Sequence, residues 1–152
     1  MAINKICESF EAAVSGIKDG STILVSGFGG AGMPTELLNA LREQGASDLT
    51  IVSNNAGVGK EGIGGLLLDG RVKKVICSYP RSGGSVVFEE MWAAGKVDLE
   101  VVPQGTLSER IRAAGAGIGG FYTPTGVGTQ LAEGKEVREI NGRLQVLEAP
   151  LK

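Results

Sequence analysis

Apolar residues in this chain come in short bursts separated by glycine-rich breaks, and two periodicities alternate along its length. Phe10, Ala13, Val14 and Ile17 recur at helical spacing in a stretch that reads as a helix over 6–17. Asp19-Gly20 closes it, and the run Thr22-Ile23-Leu24-Val25-Ser26 reads as a strand. Leu37, Leu38 and Leu41 return to helical spacing. They give a second helix over 34–44, with Pro34 at its first position and Gly45 as its C-cap. Further strands are expected over 49–53, 74–78 and 99–102. Further helices are expected over 85–94, closed by Gly95, and over 106–114, followed by Gly115. The apolar segment 63–68 is too short for its pattern to decide between helix and strand.

Strands alternating with helices imply right-handed βαβ units. The expected class is α/β: an open, mostly parallel sheet with helices on both faces. Strands that are apolar without alternation fit such burial. Ligands in these sheets bind at the carboxyl ends of strands. That rule predicts a common rim for Gly27–Gly32, Asn54-Asn55, Ser78–Arg81 and Pro103–Gly105. After residue 115 the alternation lapses. Residues 115–129 are glycine-rich around Pro124 and read as an irregular loop, but Ile118, Phe121 and Tyr122 distinguish it from a flexible linker. An ordered loop beside the site is expected there, with Gly117 and Gly119 among the binding positions. Beyond it, 135–140 and 143–147 flank Asn141-Gly142 and predict a C-terminal β-hairpin.

Composition narrows the function classes. A length of 152 residues suits one domain with its own core. The net charge of −2, with no basic cluster, argues against a nucleic-acid partner. No apolar run is long enough for a membrane helix and no signal-peptide pattern opens the chain, so it reads as cytoplasmic. There are two cysteines, Cys7 and Cys77, and no histidine. No disulfide framework or metal site is therefore expected, and Cys77 reads as a small buried hydrophobe. The absence of histidine also excludes Ser-His-Asp and Cys-His catalysis. Glycine is the outlier at 25 residues, and it falls at the ends of periodic segments, as tight turns require.

The segment Gly27-Phe28-Gly29-Gly30-Ala31-Gly32 joins the first strand to the second helix. Such a turn can present bare N–H groups to a phosphate or carboxylate. Its spacing also satisfies G-x-G-x-x-G, but a dinucleotide site needs an acidic residue at the end of the next strand, where Asn54-Asn55 stands instead. Two plainer readings stay open: a nucleotide-binding module, and glycines that only permit close packing. Among possible bases, Glu61 reads chiefly as a solvated loop charge next to Lys60. Gln104 precedes a glycine and a helix start, where a side-chain amide either donates to a developing oxyanion or braces the loop.

The run from Asp19 to Pro34 resembles the first signature of family I CoA-transferase A subunits: Asp-Gly, an apolar triplet, Gly-Gly-Phe and Gly-x-Pro. Ser26 replaces the first glycine of Gly-Gly-Phe. Segments 49–57, 101–112 and 115–129 are similar to other blocks of the family, which includes 3-oxoacid and 3-oxoadipate CoA-transferases. The resemblance implies a heteromeric enzyme. It moves CoA from succinyl-CoA to a 3-oxo acid through a glutamyl-CoA thioester on a B subunit. It needs no cofactor, since the CoA thioester is a substrate. Gln104 then matches an oxyanion donor, while Gly27, Phe28, Gly29, Gly30, Gly32, Asn54, Asn55, Gly117 and Gly119 fall to substrate and CoA binding. No Ser-Glu-Asn-Gly motif, the family's nucleophile site, occurs in this chain, which is expected to be inactive without the B subunit.

Segments 54–57 and 77–81 look most like 3-oxoadipate enzymes, with Arg81 placed to meet a second carboxylate. Acetoacetate or a short-chain fatty acid is the alternative acceptor. Family A subunits continue past the point matching 147–150, so one C-terminally incomplete domain over 1–152 is expected, and an inactive truncated partner is a further reading.

Overall fold

The computed structural model describes residues 3–152. It divides into two compact units, the first ending at Val101 and the second covering Val102–Lys152.

The first unit runs α1 (Phe10–Val14), β1 (Thr22–Leu24), α2 (Thr35–Gln44), β2 (Leu49–Asn55), α3 (Ile63–Leu68), β3 (Val72–Tyr79), α4 (Val86–Ala93) and β4 (Asp98–Val101). Its four strands form one sheet in the order β1-β2-β3-β4, every neighbouring pair parallel. The α/β class and the parallel sheet are as the sequence predicts. Each connection moves to the next neighbour without reversal, and right-handed crossovers then set α2, α3 and α4 on one face. Packing agrees, since α1 lies against α2, α2 against α3 and α3 against α4. Alternate strand residues Ile23, Val25, Leu49, Ile51, Val75, Cys77 and Leu99 meet Leu38, Leu41, Ile63, Leu66, Leu67, Val87 and Phe88 in a single core. Val52 and Ile76, the intervening positions, are buried outside that core.

Local differences from the sequence reading have local causes. The first helix is five residues, not twelve: Ser9 caps it by accepting from the Ala12 N–H, and only Val14 is buried. Phe10, on the expected apolar stripe, is 51% exposed. Pro34 stands at the cap position, one residue ahead of α2. Gly45 ends that helix with φ +95° and its N–H on the Leu41 carbonyl, as expected. The undecided segment is α3, buried from Ile63 to Leu67, so it carries no polar face for a periodicity to reveal.

The second unit comprises α5 (Gln104–Ala116), β5 (Phe121–Thr123), a 3₁₀ turn at Gln130–Ala132, β6 (Val137–Ile140) and β7 (Arg143–Glu148). The expected hairpin is present. Asn141 (φ +53°) and Gly142 (φ +75°) both take the left-handed conformation that a type I′ turn requires. The expectation of a wholly irregular 115–129 is corrected. Helix α5 runs on to Ala116, and Phe121–Thr123 adds to β7 as a third antiparallel strand. The Phe-Tyr-Thr run is β-prone, and its partner strand lies too far along the chain for a local pattern to show. Across this sheet the Tyr122 hydroxyl donates to Glu136 Oε1 at 2.7 Å. That bond holds the phenol above its ordinary pKa and the carboxyl below its own. Buried Glu148 pairs with Lys135 Nζ at 2.7 Å.

Cys77 is fully buried on β3, and desolvation pushes its thiol up to about 11, whereas Cys7 is exposed. A raised thiol pKa keeps Cys77 neutral throughout the physiological range. A disulfide reagent at pH 8 is therefore expected to titrate one thiol, Cys7, in the native chain and the second only in denaturant. Two fast thiols in the native chain would show that β3 opens. Among the described residues, no helix is long and apolar enough to cross a membrane, and no cluster of three or more His, Cys, Asp or Glu is placed to hold a metal.

Candidate functional site

At the carboxyl ends of β1, β2 and β3 the connecting segments are wired into one rim. After β1 the chain makes a two-residue hairpin, in which the Phe28 N–H donates to the Ala31 carbonyl at 2.9 Å and the Ala31 N–H to the Phe28 carbonyl at 3.2 Å. Gly29 takes φ +61° at the first central position and Gly30 has no positive φ, the pattern of a type II′ turn. Gly27 needs its φ of +119°, and a Cβ there would come within 3.3 Å of the Met33 and Ala31 backbone. Ser26, the position that departs from the family glycine, donates its hydroxyl to the Gly32 carbonyl at 3.0 Å and closes the base of the turn. Two of the N–H groups expected to face an anion are thus spent within the turn. What it displays is Phe28, 80% exposed.

Asn55, 1% exposed at the end of β2, links this turn to the next segment. Its Nδ2 donates to the Gly29 carbonyl at 3.2 Å, and its Oδ1 accepts from the Gly57 N–H at 2.8 Å. The Gly57 carbonyl accepts from Ser85 Oγ at 2.9 Å, and the Gly59 N–H donates to the Gly84 carbonyl at 2.9 Å. Ser85 Oγ also accepts from the Ser82 N–H at 3.1 Å. Asn54 points the other way from its neighbour, and its Nδ2 donates to Ser78 Oγ on β3 at 3.3 Å. Three strand ends are therefore cross-braced by side-chain and backbone bonds. Sequence pattern points to Asn54 and Asn55 but passes over Ser82, Ser85 and Gly57. The signal for the serines is Ser82-Gly83-Gly84-Ser85, two hydroxyls flanking a glycine pair of the kind that ties turns.

Arg81 lies beyond β3 at the same end. Its guanidinium makes a two-bond ion pair with Glu89 of α4, at 3.1 and 3.2 Å, with its side chain 73% exposed. Such an exposed pair is weak, on the order of 1 kcal/mol or less, so a ligand carboxylate can displace Glu89. Beside it a groove of about 410 Å³ is lined by Arg81, Glu89, Phe88, Trp92 and Leu99. Glu61 stands apart from the rim, bordering a polar hollow with Glu36, Arg42 and Asp69. The Arg42–Asp69 pair there closes at 2.5 Å and holds the Asp69 carboxyl below the ordinary range.

In the second unit Gln104 is the first residue of α5, exposed and preceded by Pro103, which offers no side-chain cap. Its own carbonyl accepts from Ser108 Oγ at 3.0 Å. Gly117 ends the helix with φ +69°, and the Ile118 N–H returns to the Ala113 carbonyl at 2.9 Å. That is a Schellman cap, a structural reason for Gly117 that needs no ligand. A Cβ on Gly119 would meet nothing within 4 Å.

The coenzyme A transferase family profile matches residues 7–152. The chain is 63% identical over 149 residues to the A subunit of the Pseudomonas putida 3-oxoadipate CoA-transferase, covering 98% of this chain and 64% of that one. It is 50% identical over 146 residues to the A subunit of a probable succinyl-CoA:3-ketoacid coenzyme A transferase of Bacillus subtilis, covering 96% of this chain and 60% of that one. The chain thus spans somewhat under two thirds of these curated relatives. Among solved structures, an acyl-CoA transferase of Escherichia coli O157:H7 superposes with TM-score 0.78 at 25% identity, covering 94% of this chain and 32% of that one. A profile match over nearly every residue, spanning the glycine turn and the braced rim, shows that the chain belongs to the coenzyme A transferase family.

Proposed function

We propose that this chain is part of the A subunit of a heteromeric CoA-transferase, acting in the cytoplasm, that moves CoA from succinyl-CoA to 3-oxoadipate. The observation that carries the reading is the 63% identity to the Pseudomonas putida 3-oxoadipate transferase across 98% of the chain. A partner is supported by the bacterial relatives, each of which is itself one named subunit of a CoA-transferase. A mitochondrial mouse succinyl-CoA:3-ketoacid transferase adds to this, because the matching region is only 29% of its length.

The reaction runs in balanced acyl exchanges. A glutamate carboxylate on the partner attacks the succinyl-CoA thioester carbonyl, the C–S bond breaks, and a mixed anhydride and CoA thiolate remain. The thiolate attacks the glutamyl carbonyl, succinate leaves, and the glutamyl-CoA thioester holds the CoA. The 3-oxo acid then enters by the same two steps in reverse. Each attack builds an oxyanion, and the Gln104 side-chain amide at the start of α5 is the donor this chain contributes. The braced rim of the first unit stays fixed while acids exchange.

The test supplies a CoA-transferase B subunit, then follows succinyl-CoA consumption with 3-oxoadipate and with acetoacetate. Transfer to neither acid by a soluble complex overturns the reading. Faster transfer to acetoacetate selects the 3-oxoacid alternative that the Bacillus subtilis relative represents. In the same assay Arg81→Ala is expected to lower kcat/KM for 3-oxoadipate about tenfold, since a charge-assisted bond is worth roughly 1.5–3 kcal/mol and Glu89 offsets part of it. Acetoacetate, with no second carboxylate, is expected to be nearly unaffected. Equal losses for both acids remove Arg81 from acceptor recognition.

A further inference from the structure

The groove beside Arg81 lies wholly within the first unit, where α4 meets β4, the last strand of the parallel sheet. Its volume of about 410 Å³ falls in the range of small-molecule sites, and Pro80, Phe88, Trp92 and Leu99 supply apolar walls. Phe88 is buried in the core, but Trp92 leaves its indole 52% exposed. Helix α4 is apolar towards water as well as towards the core, since Val86 is exposed while Val87 is buried. A surface helix ordinarily turns polar residues outward. Among the lining residues only Arg81 and Glu89 carry charge.

That ion pair displays how the groove takes a carboxylate. Arg81 Nε and Nη2 donate side by side to the two Glu89 oxygens, at 3.1 and 3.2 Å. A guanidinium offers the same fork to any free acid. Both side chains are open to water, 73% and 41% exposed, so Glu89 exchanges for a ligand at little cost and turns into solvent. The body of that ligand then meets aromatic and aliphatic walls. A second carboxylate lying against them would shed its water without gaining a partner. A flat ring packs on the Trp92 indole and has few rotors to freeze, whereas a linear chain loses more freedom.

We propose that the α4–β4 groove binds a small aromatic monocarboxylic acid, whose ring lies on Trp92 and whose carboxylate takes Arg81 from Glu89. Glu89 is thereby a built-in competitor that keeps the guanidinium occupied until such an acid arrives. This site stands on the groove and the ion pair alone. Only its consequence for turnover, competition with 3-oxoadipate for Arg81, rests on the function proposed above.

Trp92 is the only tryptophan in the chain, so its fluorescence reads the groove directly. The full chain is titrated with phenylacetate, which does not absorb where tryptophan alone is excited. A saturable change is expected, with half-saturation on the order of 1 mM. Arg81→Ala is expected to weaken it about tenfold, and Glu89→Gln to tighten it about threefold by removing the competitor. The neutral analogue 2-phenylethanol and the linear diacid adipate are each expected to bind several-fold more weakly. No saturable change overturns the proposal, as does binding of 2-phenylethanol or adipate equal to that of phenylacetate. Unaltered binding in Arg81→Ala, or unaltered or weaker binding in Glu89→Gln, overturns it as well. With a B subunit supplied, phenylacetate is expected to inhibit transfer to 3-oxoadipate competitively. A fluorescence response without any CoA transfer sinks the transferase reading and leaves the groove site standing, while transfer without the response does the reverse.

Discussion

Gly64→Ala is expected to destabilise the first unit by about 3 kcal/mol or more, the range reached when a buried position is overpacked against backbone. A Cβ at Gly64 would overlap the Gly59 carbonyl oxygen and lie 3.1 Å from the Gly59 carbonyl carbon. No flexible side chain stands between them to give way. The loop cannot recoil either. Gly59 is bonded to the Gly84 carbonyl on its far side and Gly57 to Ser85 Oγ, each at 2.9 Å. The strain therefore passes into the rim that joins β2 to β3. Urea denaturation checks the effect through the midpoint. Gly115→Ala is the control, because a Cβ there meets nothing within 4 Å and the position is helical. It is expected to gain roughly 0.5–1 kcal/mol from a stiffer unfolded chain. If both variants unfold at the wild-type urea concentration, the loop does not lie on α3 as described.

The largest effect on turnover is expected from Gln104→Ala. Removing one preorganised donor to a developing oxyanion typically costs a factor of about 10²–10³ in kcat. Gln104 is exposed on the first turn of α5, so truncation is expected to leave the thermal midpoint nearly unchanged. KM for both acids should move little, because the bond strengthens only as charge builds on the oxygen. A loss confined to KM would recast Gln104 as a binding residue. Full activity would leave the oxyanion without a donor from this chain.

Much of the parallel sheet is legible in the sequence because its strands are short apolar runs bounded by glycine. The caps at Gly45 and Gly95 follow directly from residue chemistry. Features decided by distant partners are not legible. Strand β5 exists because β7, more than twenty residues later, offers it an edge. The order of the strands in the sheet is likewise something no local period encodes. Within the site, Asn54 and Asn55 stand out as polar residues ending an apolar strand. Their opposite tasks, one reaching Ser78 and the other spanning Gly29 and Gly57, emerge only in the folded chain. The glycine turn misleads in a specific way. Its spacing suggests open donors, but a II′ hairpin consumes two of them and leaves an exposed phenyl ring instead. Arg81 lies at the strand end that its sequence position predicts, while its ion pair with Glu89 joins residues eight apart across a turn, a spacing with no local signature.

The unreversed order β1-β2-β3-β4 carries a kinetic consequence. Thr22 pairs with Thr50, Thr50 with Lys74 and Val75 with Leu99, so every new strand closes a loop of only about 24 to 28 residues onto the one made just before it. Long-range closures are what slow most parallel sheets, and none is needed to assemble these four strands. Folding can proceed as successive additions, in the manner of a repeat array, and can keep pace with a chain emerging from the ribosome N-terminus first.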